Sequence, residues 1–165
     1  MSPGRRWLAA ALVALSALGG CDGDRGGTAS SSGTSPAASP RCARCGMRTD
    51  MAPAFRAGAT DRQGDPVAFD SPKCLFRWLA GPRGRGATDP WVTAYYEQAP
   101  RPVDQVRYVV GSDVVGPMGH DLIPVAGEAA AERFRADHDG ERVVAREAID
   151  GDLLDALDTP RDARR

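Results

Sequence analysis

The sequence FDSPKCLFRWLAGP, residues 69–82, contains the end of a strand, the start of a helix and the end of that helix. Ser71 is a suitable N-cap, and Pro72 suits the first helical position because that position needs no N–H donor. The Gly-Pro pair predicts that the helix ends near Ala80. One face of this helix is predicted to be buried, because its apolar residues follow a helical spacing: Leu75, Phe76 and Leu79.

Strands are predicted on both sides of this helix. Residues 54–59 and 66–69 each have the composition of a short strand, and the turn DRQGD at 61–65 joins them. A polar loop at 83–89 then leads to a third strand at 91–96. The first half of the chain therefore follows the order strand, strand, helix, strand.

The second half repeats that order. Strands are predicted at 106–111 and 121–125, separated by a loop at 112–120 that contains Gly-Pro-Met-Gly. A helix is predicted from residue 128 to about 139, and a returning strand follows at 142–146. The repetition indicates two related modules.

These patterns predict an α+β fold in which two similar ββαβ modules form one small domain at residues 41–158. The modules are expected at about 42–97 and 105–148. Asp150 is expected to cap a short last helix, and residues 159–165 are expected to form a disordered tail.

The N-terminal sequence is typical of a targeting segment. Arg5 and Arg6 precede an apolar run at residues 7–18, which is too short to span a bilayer as a helix. The following Leu-Gly-Gly-Cys resembles the lipobox of bacterial lipoproteins. Residues 1–20 are therefore expected to be removed as a signal peptide, and Cys21 to carry lipid that anchors the protein to a membrane on its extracytoplasmic side. The alternative is an ordinary signal peptide with a chance cysteine.

The segment at residues 21–40 contains mainly Gly, Ser, Thr, Ala and Pro and no large apolar side chain. Such a segment cannot bury enough surface to offset the entropy lost on ordering. It is predicted to be a flexible tether between the lipidated Cys21 and the folded domain.

The overall composition excludes some classes of function. The chain has 165 residues and a net charge of −1, so no bulk positive field indicates nucleic acid as a partner. No Ser/His/Asp set and no glycine-rich phosphate loop occurs in a recognised context, so the protein is not expected to be an enzyme.

Sulfur donors are the main chemical feature of the predicted domain. Soft sulfur ligands select soft metals, and a thioether beside thiolates favours Cu(I) over zinc. Cys42 and Cys45 form a Cys-x-x-Cys pair. This pair alone leaves four alternatives open, namely a structural disulfide, a thiol–disulfide oxidoreductase, part of a zinc site and part of a Cu(I) site. The zinc alternative would use Cys42, Cys45, Cys74 and His120.

Several motifs together resemble the NosL family, the accessory lipoproteins of nitrous oxide reductase maturation. They occur in the family's order over about residues 42–150: CGM at 45–47, FDSPKCLFRWL at 69–79, WV at 91–92, YVVGS at 108–112, PMG at 117–119 and AERF…HDGERV at 131–143.

The resemblance implies an extracytoplasmic, membrane-anchored metallochaperone that binds Cu(I) and delivers it to apo nitrous oxide reductase or another cuproenzyme. It also implies two homologous ββαβ modules. Matched motif by motif, the implied metal ligands are Cys45 and Met118, followed by Cys42 and Met47. His120 and Cys74 depart from the family pattern and leave open an altered site.

Overall fold

The computed structural model describes residues 40–159. The predicted signal peptide, Cys21, the tether up to residue 39 and the tail from residue 160 lie outside the described residues. Within residues 40–159, no helix is long and apolar enough to cross a membrane.

The first module is a four-stranded antiparallel sheet with one helix. Its strands and helix are β1 (Ala57–Thr60), β2 (Pro66–Phe69), α1 (Pro72–Leu79), β3 (Thr88–Ala94) and β4 (Ala99–Pro102). The strand order is β2-β1-β3-β4, so the first strand of the module lies inside the sheet. The helix connects β2 to β3.

The second module repeats this plan around a three-stranded antiparallel sheet, in which β5 (Arg107–Val110) lies between β8 (Ile123–Val125) and β9 (Arg142–Val144). Its first strand is again central and its helix again connects the second strand to the last. The predicted α+β fold of two ββαβ modules is therefore confirmed. The elements are β5 (Arg107–Val110), β6 (Val115–Gly116), β7 (Gly119–His120), β8 (Ile123–Val125), α2 (Glu128–Asp137) and β9 (Arg142–Val144).

A last helix, α3 (Gly151–Asp158), follows the second module. As predicted, Asp150 is its N-cap, and the Asp150 side chain accepts a hydrogen bond from the Leu153 N–H at 2.9 Å. Buried leucines of α3 join a core that also contains residues of both modules, such as Phe76 and Tyr108. Because one core contains residues of both modules, the two repeats form one domain.

The structure differs from the local predictions at four places. Residues 53–55 form a 3-10 turn rather than the start of a strand, and β3 begins at Thr88 inside the predicted polar loop. The strand β4 was not predicted, because its prolines, Pro100 and Pro102, are unusual in strands. Proline is tolerated here because β4 is an edge strand. The predicted loop at 112–120 contains the small hairpin of β6 and β7.

Candidate metal centre

The Cys-x-x-Cys motif lies in a tight loop that is docked on the first module. The Cys42 N–H donates to the Met47 carbonyl at 2.8 Å, and the Gly46 N–H donates to the Cys42 carbonyl at 2.9 Å. Gly46 has φ +79, which suits glycine. The Ala43 N–H donates to the Ala68 carbonyl of β2 and so fixes the loop against the sheet. The Cys pair is therefore not at the start of a helix.

The start of α1 brings two more donors to this loop. Ser71 is the N-cap, and its side chain accepts a hydrogen bond from the Cys74 N–H. This cap places Cys74 in the first turn, with Asp70 just before it. The Cys45 thiol lies 3.4 Å from Asp70 Oδ1 and donates to it. The cap predicted from sequence thus positions part of the site.

Four donor atoms converge at this point: the ligand atoms of Cys42, Cys45, Asp70 and Cys74 all lie within 4.8 Å of one another. Three sulfurs around one ion, with metal–sulfur bonds of about 2.3 Å, would lie about 4 Å apart. Small side-chain shifts would therefore let one ion contact the three thiols. Cys42, Asp70 and Cys74 are buried, whereas Cys45 faces solvent.

The second module contributes a thioether to the same place. Met118 lies between β6 and β7, and its Sδ atom is 4.0 Å from Cys74 Sγ. Its side chain is 47% exposed. The exposed thioether of the second module therefore lies against a buried thiol of the first.

The sequence-predicted donors are not all equally placed. Cys42, Cys45, Cys74 and Met118 come together as described above. Met47 contributes its carbonyl to the loop, and its side chain is exposed. His120 follows Met118 in the hairpin and pairs in register with Val115.

Asp70 is not among the metal ligands expected from the sequence, and the structure places it in the cluster. Its Oδ2 atom is buried and accepts no hydrogen bond within residues 40–159. An unsatisfied buried oxygen is costly, and a cation nearby would reduce that cost. The sequence signal that could have found it is its position directly before the Ser-Pro helix start that also positions Cys74.

The three thiols share charge unequally. A hydrogen bond from Cys74 lowers the pKa of the Cys42 thiol to about 6. The same bond, together with burial, raises the pKa of Cys74 far above its usual range. Burial raises the pKa of Cys45 to about 11. Cys42 is therefore the thiol that ionises most readily, and a metal that binds Cys45 and Cys74 as thiolates must displace their protons.

Comparisons with known proteins identify the family and the fold. A sequence model of the NosL family matches residues 34–154. The fold is similar to the crystal structure of the copper chaperone NosL from Shewanella denitrificans, with a TM-score of 0.60 and 19% identity over 68% of this chain and 90% of that one. A search of curated protein sequences gives no significant match.

Proposed function

The chain belongs to the NosL family, and from that premise we propose that it is a Cu(I) metallochaperone that delivers copper to a cuproenzyme outside the cytoplasm. The proposed client is apo nitrous oxide reductase. The protein's own role is transfer of the ion, so no catalytic residue is assigned.

The observation that carries this proposal is that the exposed thioether of Met118 lies against Cys74, one of three clustered thiols. The distance of 4.0 Å between Met118 Sδ and Cys74 Sγ suits two sulfurs that share one ion. Thiolate and thioether sulfur are soft donors, and soft donors select Cu(I). We propose Cys42, Cys45, Cys74 and Met118 as the donor set, with Met47 and His120 as neighbouring candidates.

The exposure of the donors supports a role in transfer rather than storage. Cys45 and Met118 face solvent, while Cys42 and Cys74 lie beneath them. A client ligand could approach the ion from the exposed side while the buried thiols still hold it. A closed four-coordinate zinc cage would not offer that access.

The oxidoreductase alternative has less support. Such enzymes activate the first cysteine of the pair at a helix N-terminus, whereas Cys42 and Cys45 lie in a loop. Disulfide exchange would also give no role to the Met118 thioether. A zinc-stabilised module would likewise leave that soft donor unexplained.

We further propose that lipid on Cys21 anchors the protein to the extracytoplasmic face of a membrane. The lipobox sequence supports this, and the Gly/Ser-rich tether would let the domain reach a client. Labelled palmitate incorporated by wild type and absent from Cys21→Ala would support the anchor. Equal incorporation by both proteins would contradict it.

The transfer experiment uses the reduced protein loaded anaerobically with one equivalent of Cu(I) and mixed with apo nitrous oxide reductase. We expect copper to move to the reductase from wild type and from the control Met51→Leu, because Met51 is 70% exposed and is not among the proposed donors. Met118→Leu should retain less copper and deliver less of it. Failure of wild type to bind or transfer Cu(I), combined with turnover of a disulfide substrate, would contradict the proposal in favour of the oxidoreductase.

A further inference from the structure

Lys73, the lysine next to Cys74 in α1, is buried although it carries a charge: its side chain is 3% exposed. A buried ammonium is stable only where oxygen acceptors surround it. The ammonium group has three N–H donors. It lies within hydrogen-bond distance of three oxygens: the Met118 carbonyl at 3.2 Å, the His120 carbonyl at 2.9 Å and Asp158 Oδ1 at 3.0 Å.

Neither charge of the Lys73–Asp158 pair suits its own helix. Lys73 stands in the first turn of α1, where the helix dipole disfavours a cation, and Asp158 stands in the last turn of α3, where it disfavours an anion. Burial alone would raise the pKa of Asp158, but the hydrogen bond and charge of Lys73, with those of Arg77, hold it below its ordinary value. The placement of both residues is therefore explained by the tertiary contact and not by helix stability.

The three acceptors belong to two elements outside α1. Met118 and His120 are in the β6–β7 hairpin, and both accept from Lys73 through their backbone carbonyls. The Met118 side chain is not used in this contact and faces Cys74. The Lys73 backbone N–H also donates to Asp121 Oδ1 at 2.9 Å, just after the hairpin. Lys73 thus binds the hairpin through its ammonium group and binds the residue just after the hairpin through its backbone N–H.

We propose that Lys73, fixed by Asp158 of α3, is a positioning residue that holds the Met118 thioether against the thiols of the first module. This rests on the proposed function, because it assigns Lys73 a part in the same copper site. Arg77, one turn further along α1, reinforces the arrangement by binding Asp158 Oδ2 at 2.6 Å. Asp158 lies beyond residues 34–154, the region matched by the family model. The last helix thereby becomes part of the support of the site.

The first test is a double-mutant cycle on Cu(I) affinity, measured anaerobically against a chromogenic Cu(I) chelator. Lys73→Met should weaken binding by about tenfold or more, in the range seen when outer contacts of metal ligands are lost. In a Met118→Leu background the same substitution should change affinity less than about twofold, because the thioether that it positions is already gone. Equal losses in both backgrounds, or no loss in either, would overturn the proposal.

The second test needs no copper. Hydrogen exchange of the hairpin amides, followed by mass spectrometry of peptides covering residues 113–122, should be faster in Lys73→Met and in Asp158→Asn than in wild type. The matched control is Arg107→Met, which removes an ion pair with Glu128 in the same module without touching the hairpin. Asp158→Asn keeps the test decisive if Lys73→Met does not fold. Unchanged hairpin exchange in the folded variants would overturn the proposal.

The two tests separate this inference from the proposed function. If wild type binds no Cu(I), the proposed function fails, and hairpin exchange still decides whether Lys73 holds the Met118 hairpin. If wild type binds Cu(I) and Met118→Leu weakens it while the Lys73 variants behave as wild type, only the inference fails.

Discussion

The two modules share one plan and differ where the proposed copper donors lie. In both, the first strand is central, the second pairs with it on one side, and the strand after the helix pairs with it on the other. Between its first two strands, the first module has the short turn at 61–65, whereas the second has the longer segment at 111–122 with the Met118 hairpin. The thiols, in turn, come from the loop that precedes β1 and from the start of α1. The repeated framework brings the donors together, and the departures from the repeat supply them.

The helix starts show the same contrast. The helix α1 begins with the side-chain cap of Ser71, and Cys74 lies in its first turn. The helix α2 has no side-chain cap and follows Gly127 at φ +87, and none of the proposed donors lies in its first turn. The capped start of α1 thus positions a thiol, whereas the start of α2 contributes none of the proposed donors.

The largest expected effect is on the first-module side of the site. Cys42→Ser removes the buried thiol whose pKa is lowered and which ionises most readily, and we expect the affinity for Cu(I) to fall by more than about 100-fold, beyond the loss seen for outer contacts. An anaerobic competition titration against a Cu(I) chelator measures this. A loss below tenfold would mean that the first module does not dominate binding.

A smaller loss is expected on the second-module side. Met118→Leu keeps the size of the side chain but removes the thioether, and we expect the affinity for Cu(I) to fall by about 10- to 100-fold, because neutral thioether sulfur is a weaker donor than thiolate. Met51→Leu is the matched control and should bind as wild type. Equal affinities for Met118→Leu and Met51→Leu would restrict the site to the first module.

The dependence of Cu(I) affinity on pH sharpens the comparison further. Thiols must lose their protons to bind, whereas the Met118 thioether has none to lose. With the pKa of Cys42 lowered to about 6 and that of Cys45 raised to about 11, raising the pH from 6.5 to 8.5 should strengthen binding by about tenfold per pH unit for each further thiol that ionises.

This titration has its own control. Cys45→Ser should lower the slope by one proton per ion, whereas Met118→Leu should weaken binding and leave the slope unchanged. A flat dependence in wild type would show that only the Cys42 thiolate is used.

The smallest expected effect concerns the side-chain N-cap that α1 has and α2 lacks. Ser71→Ala removes the acceptor for the Cys74 N–H and should lower the free energy of unfolding of the metal-free protein by about 1 kcal/mol. Ser71→Gly should lower the free energy of unfolding by only about 0.3 kcal/mol, because glycine is a tolerated N-cap. Urea denaturation measures both. Identical stabilities of Ser71→Ala and wild type would argue against the cap.

Local sequence signals were enough to predict the framework. The N-caps at Ser71 and Asp150 and the repeated strand and helix order are set by neighbours in sequence, and all are present in the structure. The strand β4 was missed because prolines are poor strand formers and its pairing with β3 is a tertiary contact.

The assembly of the site could be predicted only in part. The CGM and PMG motifs pointed to Cys45 and Met118, but their closeness to Cys74 depends on how the two modules pack, which no local pattern encodes. Asp70 was not predicted as a donor, because nothing local distinguishes its carboxylate from that of a residue that only precedes a helix. The role inferred for Lys73 follows from contacts 45 and 85 residues away in sequence, to Met118 and Asp158.

The central claim is that one Cu(I) ion contacts sulfur from both modules. The most direct measurement is an NMR titration of the reduced protein carrying 13C-methyl methionine, with Met118 and Met51 assigned by substitution with leucine. We predict that one equivalent of Cu(I) shifts the Met118 methyl signal, leaves that of Met51 in place, and no longer shifts Met118 when Cys42 and Cys74 are both replaced by serine. A Met118 signal that stays unmoved while wild type binds one tightly held Cu(I) would contradict the account.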